Sequence, residues 1–139
     1  MYNRYALLVH ITLDVDSEVP IYAQIRDRVV EAIADGELAE GSPLPSTRQL
    51  AADLGINFHT VNKAYDLLRQ QAVIRVNRKS GAVVRRDARS GPPEPGFVDD
   101  WTQRLRTLLA EAVVQGLDPS SALERADGVL GSFRAGRPT

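Results

Sequence analysis

Two short helices separated by a glycine turn are the feature that most limits how this chain can fold. Ser46 begins an S-x-x-Q sequence, a capping box typical of a helix start, and Gly55 follows where a helix over 47–54 should end. Asn57 can cap a second helix. The buried side of that second helix would consist of Val61, Ala64, Tyr65 and Leu68. Two helices joined by about three residues predict a helix-turn-helix, whose second helix is shaped to enter a major groove.

A basic hairpin is predicted directly after this helix pair. The sequence AVIRVNRKSGAVVRR contains two short apolar runs around a turn, with Arg78 and Lys79 at the tip. A hairpin after a helix-turn-helix is a wing, so we expect residues 19–86 to form a winged helix-turn-helix domain. Residues 6–15 read as a strand or an extended arm, so residues 1–18 are expected to be an N-terminal arm.

The C-terminal part of the sequence predicts a linker followed by two more helices. Residues 87–97 are rich in proline, glycine and charge, which favours a linker. Residues 98–135 carry apolar side chains at helical spacing, and Asp118-Pro119 is a strong helix start. The expected fold class is therefore mostly α with a small β-hairpin (α+β): an N-terminal winged helix-turn-helix plus a C-terminal two-helix dimerisation segment.

We expect the apolar stripes of these last two helices to form a dimer interface. Two helices cannot enclose a drug-sized pocket, so the stripes must be covered by another surface. A second subunit would cover them and would match a two-fold operator, although packing on the winged helix is the alternative. The residues expected at this interface are Trp101, Leu105, Leu108, Leu109, Val113, Leu123 and Leu130.

Charge is distributed unevenly along the chain. Residues 44–86 contain eight basic and two acidic residues, a local net charge of +6, whereas the whole chain has a net charge of −1. A basic module of this kind favours polyanion binding, with a chance cluster on a solvated face as the alternative. Arginine and lysine would supply contacts to phosphate, and short polar side chains on the second helix would read base edges.

The remaining composition argues against other classes of protein. The chain has no cysteine and only two histidines, His10 and His59, so disulfides and a metal site are not expected. No nucleophile–His–acid set and no Gly-rich phosphate loop is present, so we predict no enzyme and no cofactor. Apolar runs are too short to span a membrane, and we expect a cytoplasmic protein.

Individual side chains near the start of the second helix have two interpretations each. Asn57 is either only a cap or also a DNA contact, and Thr60 is either structural or a contact. His59 is either a DNA contact or an ordinary surface side chain. Phe58 is expected to be buried against Leu54 or the wing. Arg48 is poorly matched to the positive end of its helix dipole, which favours binding of an external phosphate.

Residues 21–84 contain the motifs IYxQI, GELxxGxxLPSxRxLAxxLG and TVxKAYxxLxxxxVI. With these motifs the stretch resembles the winged helix-turn-helix domain of GntR-type transcriptional regulators. The form N-x-x-T-V-x-K-A-Y, followed by only two short helices, is similar to the YtrA subfamily. The resemblance implies a homodimer that binds palindromic double-stranded DNA as a repressor through a recognition helix at 57–71 and a basic wing. It carries DNA-binding roles to Ser46, Arg48, Asn57, Thr60, Lys63 and Gly81.

The full set of predicted DNA contacts combines the residues implied by the resemblance with the residues proposed from charge and position on the second helix and the hairpin. The set is Ser46, Arg48, Asn57, His59, Thr60, Asn62, Lys63, Arg78, Lys79 and Gly81. Phe58 and Asn62 stand where many family members have arginine, so two guanine-reading candidates are missing. Larger relatives carry an effector domain that we do not expect here, so the small-molecule effector is unknown. A winged helix that binds an acidic protein is the competing hypothesis, which the salt dependence of DNA binding would distinguish.

Overall fold

The computed structural model of the chain describes residues 11–77 and 81–133. These residues form five helices and one antiparallel two-stranded hairpin, which confirms the predicted mostly α fold with a small β-hairpin, and the dimerisation role of the last two helices stays a prediction. The chain divides into two compact units between Ser90 and Gly91. In chain order the elements are α1 (Ile21–Ala34), α2 (Thr47–Leu54), α3 (Phe58–Gln70), β1 (Ile74–Asn77), β2 (Gly81–Val84), α4 (Phe97–Val114) and α5 (Pro119–Ser132).

The predicted caps define the turn between α2 and α3. The Ser46 hydroxyl accepts a hydrogen bond from the Gln49 N–H at 3.1 Å, which fixes the start of α2. Gly55 ends α2 with φ = 67°, a left-handed conformation that glycine adopts at little cost. The Asn57 side chain then accepts from the His59 N–H at 2.8 Å and begins α3. The helix-turn-helix expected from the sequence is therefore present.

The core of the first unit lies where α1, α2, α3 and the hairpin meet. Helix α3 packs against both α1 and α2 and contacts β1. The four residues predicted for the buried side of α3 are all buried. Fully buried side chains from the other elements complete this core: Ile25, Val29, Leu50, Ile74 and Val84. Burial of these apolar side chains holds α3 at a fixed angle to the rest of the domain.

The wing consists of β1 and β2, paired from Ile74↔Val84 to Asn77↔Gly81. A neighbouring segment extends the pairing, because the Leu44 N–H donates to the Ala82 carbonyl at 2.9 Å and Pro43 forms a bridge with Val83. Residues 35–46, the connector between α1 and α2, therefore pass along the outer edge of the wing at Pro43 and Leu44. The predicted tip residues Arg78 and Lys79 lie outside the described residues.

The sequence left a strand or an extended arm open for residues 6–15, of which residues 6–10 lie outside the described part of the chain. Residues 11–18 contain no strand, which favours the extended arm for this part. Gln24, which is buried in α1, explains why. Its side chain accepts the Asp14 N–H at 2.8 Å and donates to the carbonyl oxygens of Asp14 and Val19 at 2.9 and 2.8 Å. These backbone groups are paired with a side chain, so the arm lies on the domain without joining a sheet.

Asp87 connects the end of the wing to the loop before α2. Its carboxylate accepts the Glu40 N–H at 2.9 Å and the Arg89 N–H at 2.8 Å. The hydrogen bond from Glu40 is the largest cause that lowers the pKa of this carboxyl, followed by the bond from Arg89. The charged form of Asp87 is thus favoured by the folded state.

The second unit contains α4 and α5. Asp118 is the N-cap of α5, and its side chain accepts a hydrogen bond from the Ser120 N–H at 3.1 Å. Pro119 takes the first helical position, as the Asp118-Pro119 sequence predicted. Neither helix contains a buried residue, and both lie entirely within the described residues. Among the described residues, no helix combines the length and apolar character that crossing a membrane requires.

Candidate nucleic-acid interface

The predicted DNA contacts of the helix pair lie at the starts of α2 and α3, and we call this region the DNA surface. Five of these contacts lie within two residues of a helix start, and Asn62 and Lys63 lie one turn further along α3. Ser46, Arg48, Asn57, His59 and Lys63 are exposed, and Thr60 and Asn62 are half-buried. Neither α2 nor α3 has an acidic residue in its first turn, so the positive ends of both helix dipoles remain uncompensated there. This surface therefore suits a polyanion.

Arg48 and His59 are brought together by Phe58. The Arg48 guanidinium carbon lies 4.6 Å from the centre of the Phe58 ring, and the Phe58 and His59 ring centres are 4.2 Å apart at an interplanar angle of 33°. Phe58 is half-buried and packs against the core, which agrees in part with the burial expected for it, and its packing on Leu54 or the wing stays a prediction. Its contact with Arg48 was not expected, because no local pattern links side chains on two different helices.

Lys63 lies against α1 as well as on the DNA surface. Its ammonium nitrogen is 4.2 Å from the centre of the Tyr22 ring, a cation–π contact. Sequence reasoning gave Tyr22 no role beyond its place in the IYxQI motif. The contact supplies a physical reason for an aromatic residue there, since the ring holds a cation of α3. Lys63 is thus positioned by α1 before any ligand binds.

Asn57 and Thr60 have structural roles that the sequence left open. Asn57 is the N-cap of α3, and its backbone carbonyl accepts the Thr60 N–H at 3.1 Å. Both residues therefore build the first turn of α3. Their contacts to DNA remain predictions.

The other basic residues of this stretch are placed differently. Arg69, near the end of α3, is paired with Asp66 at 3.5 Å. Arg85 donates to the Ala72 carbonyl at 3.3 Å. Arg75 is exposed on β1, and Gly81 begins β2 with φ = 72°. Arg48 and Lys63 are thus two cations that the structure places on the DNA surface.

The residues predicted for the dimer interface are exposed along α4 and α5. Leu108 is 61% exposed, Val113 70% and Leu123 73%. Trp101, Leu109 and Leu130 are also exposed, and Leu105 is half-buried. A metal centre has no support in the described part of the chain, where no cluster of three potential ligands occurs.

A helix-turn-helix followed by a hairpin is the winged helix-turn-helix arrangement, which is typical of DNA-binding proteins. Comparison with known proteins identifies the family. The family profile "Bacterial regulatory proteins, gntR family" matches residues 21–84. The HTH-type transcriptional repressor YtrA of Bacillus subtilis (strain 168) is 28% identical over 127 residues, which cover 91% of this chain and 97% of the relative.

Solved structures give the same assignment. YtrA from Sulfolobus acidocaldarius, described as a GntR-family transcription factor, is 38% identical with a TM-score of 0.60, covering 75% of this chain and 97% of its own. A transcriptional antiterminator from Listeria monocytogenes EGD-e is 28% identical with a TM-score of 0.77, covering 85% and 87%. This chain belongs to the GntR family: it is a transcription regulator with a winged-helix DNA-binding domain, and not an enzyme.

Proposed function

We propose that this protein is a sequence-specific repressor that binds a palindromic operator as a homodimer in the cytoplasm. The DNA surface is the observation that carries the proposal. Arg48 and Lys63 are exposed there and form no ion pair with any described residue. Such cations neutralise phosphates, and asparagine and lysine side chains on α3 can hydrogen-bond to purine edges in the major groove.

The repressor assignment is supported by the relative from Bacillus subtilis, which is named a transcriptional repressor and aligns along 91% of this chain. A bound dimer that covers promoter DNA would repress without any further domain. DNase footprinting on the intergenic DNA beside its own gene should protect two half-sites about one helical turn apart. Equal affinity for that DNA and for random duplex at every salt concentration would instead favour a module that binds an acidic protein.

Single substitutions on the DNA surface and wing test the assigned contacts. Lys63→Ala should weaken operator binding. Arg78→Ala and Lys79→Ala should each weaken binding to all duplexes and lower the salt slope by about one. Arg69→Ala is the matched control, because it removes one positive charge from a residue already paired with Asp66. An effect of Arg69→Ala equal to that of Lys63→Ala would mean that only net charge matters.

The homodimer is supported by the exposed apolar stripes of α4 and α5. Large exposed apolar patches on soluble domains are typical of interaction sites, and a two-fold dimer matches a two-fold operator. Light scattering after size-exclusion chromatography should give twice the chain mass of 15.3 kDa. Leu108→Asp should reduce this to the single-chain mass, whereas Thr107→Asp, outside the apolar stripe of α4, should leave the dimer intact. A concentration-independent single-chain mass for the unmodified protein would refute the homodimer.

A further inference from the structure

We infer that Phe58 is a positioning residue, which holds the Arg48 guanidinium against its ring so that Arg48 meets a DNA phosphate in a fixed orientation. The inference rests on the DNA-binding function proposed above and extends it to a residue that has no polar group. The 4.6 Å distance between the guanidinium carbon and the ring centre is well within the range of a cation–π contact.

The ring is itself held in place. Phe58 is half-buried and packs on the core of the first unit, and the His59 ring lies 4.2 Å from it, centre to centre. Phe58 is also the first residue of α3, directly after the Asn57 cap. The Phe58 ring is thus held in place by the core, by the His59 ring and by its position at the start of α3.

Stacking leaves the hydrogen-bonding edge of a guanidinium free. An arginine side chain has many rotamers, and fixing them on binding has an entropic cost that prior positioning reduces. Phenylalanine cannot hydrogen-bond to a phosphate through its side chain. Phe58 therefore orients Arg48, and Arg48 makes the contact with the DNA phosphate. A phosphate is the fitting anion, because Arg48 has no ion pair among the described residues and lies at a helix start that lacks an acidic residue.

NMR of the free protein tests the stack without DNA. The Arg48 side-chain protons of the wild type should be shifted upfield by the Phe58 ring current. Phe58→Tyr should retain this shift because it keeps the ring, and Phe58→Leu should abolish it. An Arg48 spectrum that is the same in the wild type and in the Phe58→Leu protein would overturn the inference, provided that the variant melts within a few degrees of the wild type. If Phe58→Leu fails to fold, Phe58→Met is the second variant, because it keeps a large apolar side chain and removes the ring. An Arg48 spectrum with the same upfield shift in the Phe58→Met protein as in the wild type would also overturn the inference.

A double-mutant cycle tests the effect on DNA binding. The probes are a duplex that the wild-type protein enriches from a random-sequence pool, and an unselected duplex. Arg48→Ala should weaken binding about tenfold and lower the salt slope by about one. Phe58→Leu should weaken binding about two- to fivefold with the slope unchanged, because Arg48 keeps its charge. Phe58→Tyr should bind like the wild type.

The decisive comparison is Phe58→Leu in the Arg48→Ala background. A positioning residue acts only through its partner, so this substitution should then have almost no further effect on affinity. An equal loss in both backgrounds would overturn the inference and would mean that Phe58 meets DNA itself or supports the fold. Failure of the wild type to enrich any duplex would refute the proposed function, whereas an intact ring-current shift with additive substitutions would refute only the positioning role.

Discussion

Tyr65 connects the recognition helix α3 to the segment that leads into α2. Its hydroxyl donates to the Pro45 carbonyl at 2.7 Å, and the two residues are twenty positions apart. Tyr65 is 5% exposed and Pro45 less than 2% exposed, so water cannot readily replace the donor. Tyr65→Phe removes only the hydroxyl and keeps the buried ring, which makes it a direct test of this link.

The size of the stability loss in Tyr65→Phe depends on the buried Pro45 carbonyl, which loses its hydrogen-bond donor. A neutral intramolecular hydrogen bond contributes about 1 kcal/mol net, and a buried polar group left without a partner costs about 1–3 kcal/mol. We therefore expect Tyr65→Phe to lower the free energy of unfolding by roughly 2 kcal/mol, a factor of about 30 in the equilibrium constant. For a unit of this size the corresponding fall in Tm is roughly 10 °C.

Urea unfolding followed by far-UV circular dichroism measures this difference. Tyr22→Phe is the matched control, because the Tyr22 hydroxyl makes no hydrogen bond within the described part of the chain and the ring that holds Lys63 is kept. We expect the control to change stability by less than about 0.5 kcal/mol. If Tyr65→Phe were as mild as Tyr22→Phe, the hydrogen bond to Pro45 would not be important for holding the two helices together.

Substitutions at three further positions test local features of the first unit. Ala72 has φ = 60°, a left-handed conformation, so Ala72→Gly should raise the free energy of unfolding by about 0.5 kcal/mol and Ala72→Val should lower it, as measured by urea unfolding. Asn57→Ala should cost about 1 kcal/mol through loss of the α3 cap, whereas Asn57→Asp should cost little, as thermal melting will show. The pKa of Asp87 is lowered in the folded state, so its carboxylate contributes stability above the ordinary aspartate range, and this contribution is lost as the pH falls through the lowered pKa. Asp87→Asn should therefore reduce the acid dependence of Tm between about pH 6 and about pH 2.

Local signals account for the parts of the fold that the sequence predicts well. Ser46, Asn57 and Asp118 each cap the helix that they were expected to begin, because a cap is a contact between neighbours in the chain. The buried side of α3 also follows from a spacing of three and four residues. These contacts are short-range, so the sequence pattern contains nearly all of the information.

Long-range pairings explain what the sequence could not predict. The connector pairs with β2 through Leu44 and Ala82, and a buried Gln24 binds the arm through Asp14. Ile11 and Leu13 alternate as in a strand because both pack on the core, and alternation does not show which group pairs with the backbone. The contact between Arg48 and Phe58 is of the same kind, since it joins the starts of two helices.

The DNA surface of a single chain is small, so the proposed homodimer through α4 and α5 should contribute strongly to DNA affinity. The described residues of the DNA surface include two cations, Arg48 and Lys63, so few phosphate contacts are expected from it, and nonspecific binding through such contacts is weak, with Kd of about 10⁻⁴–10⁻⁶ M. In the proposed homodimer, α4 and α5 join two DNA surfaces and make the second contact intramolecular, which raises avidity by about 10²–10⁴ if both half-sites can be reached. The spacing of the half-sites then becomes part of specificity, because rotating one of them by half a turn leaves only one surface engaged. Loss of the dimer should therefore reduce operator binding more than loss of any single side chain on the DNA surface.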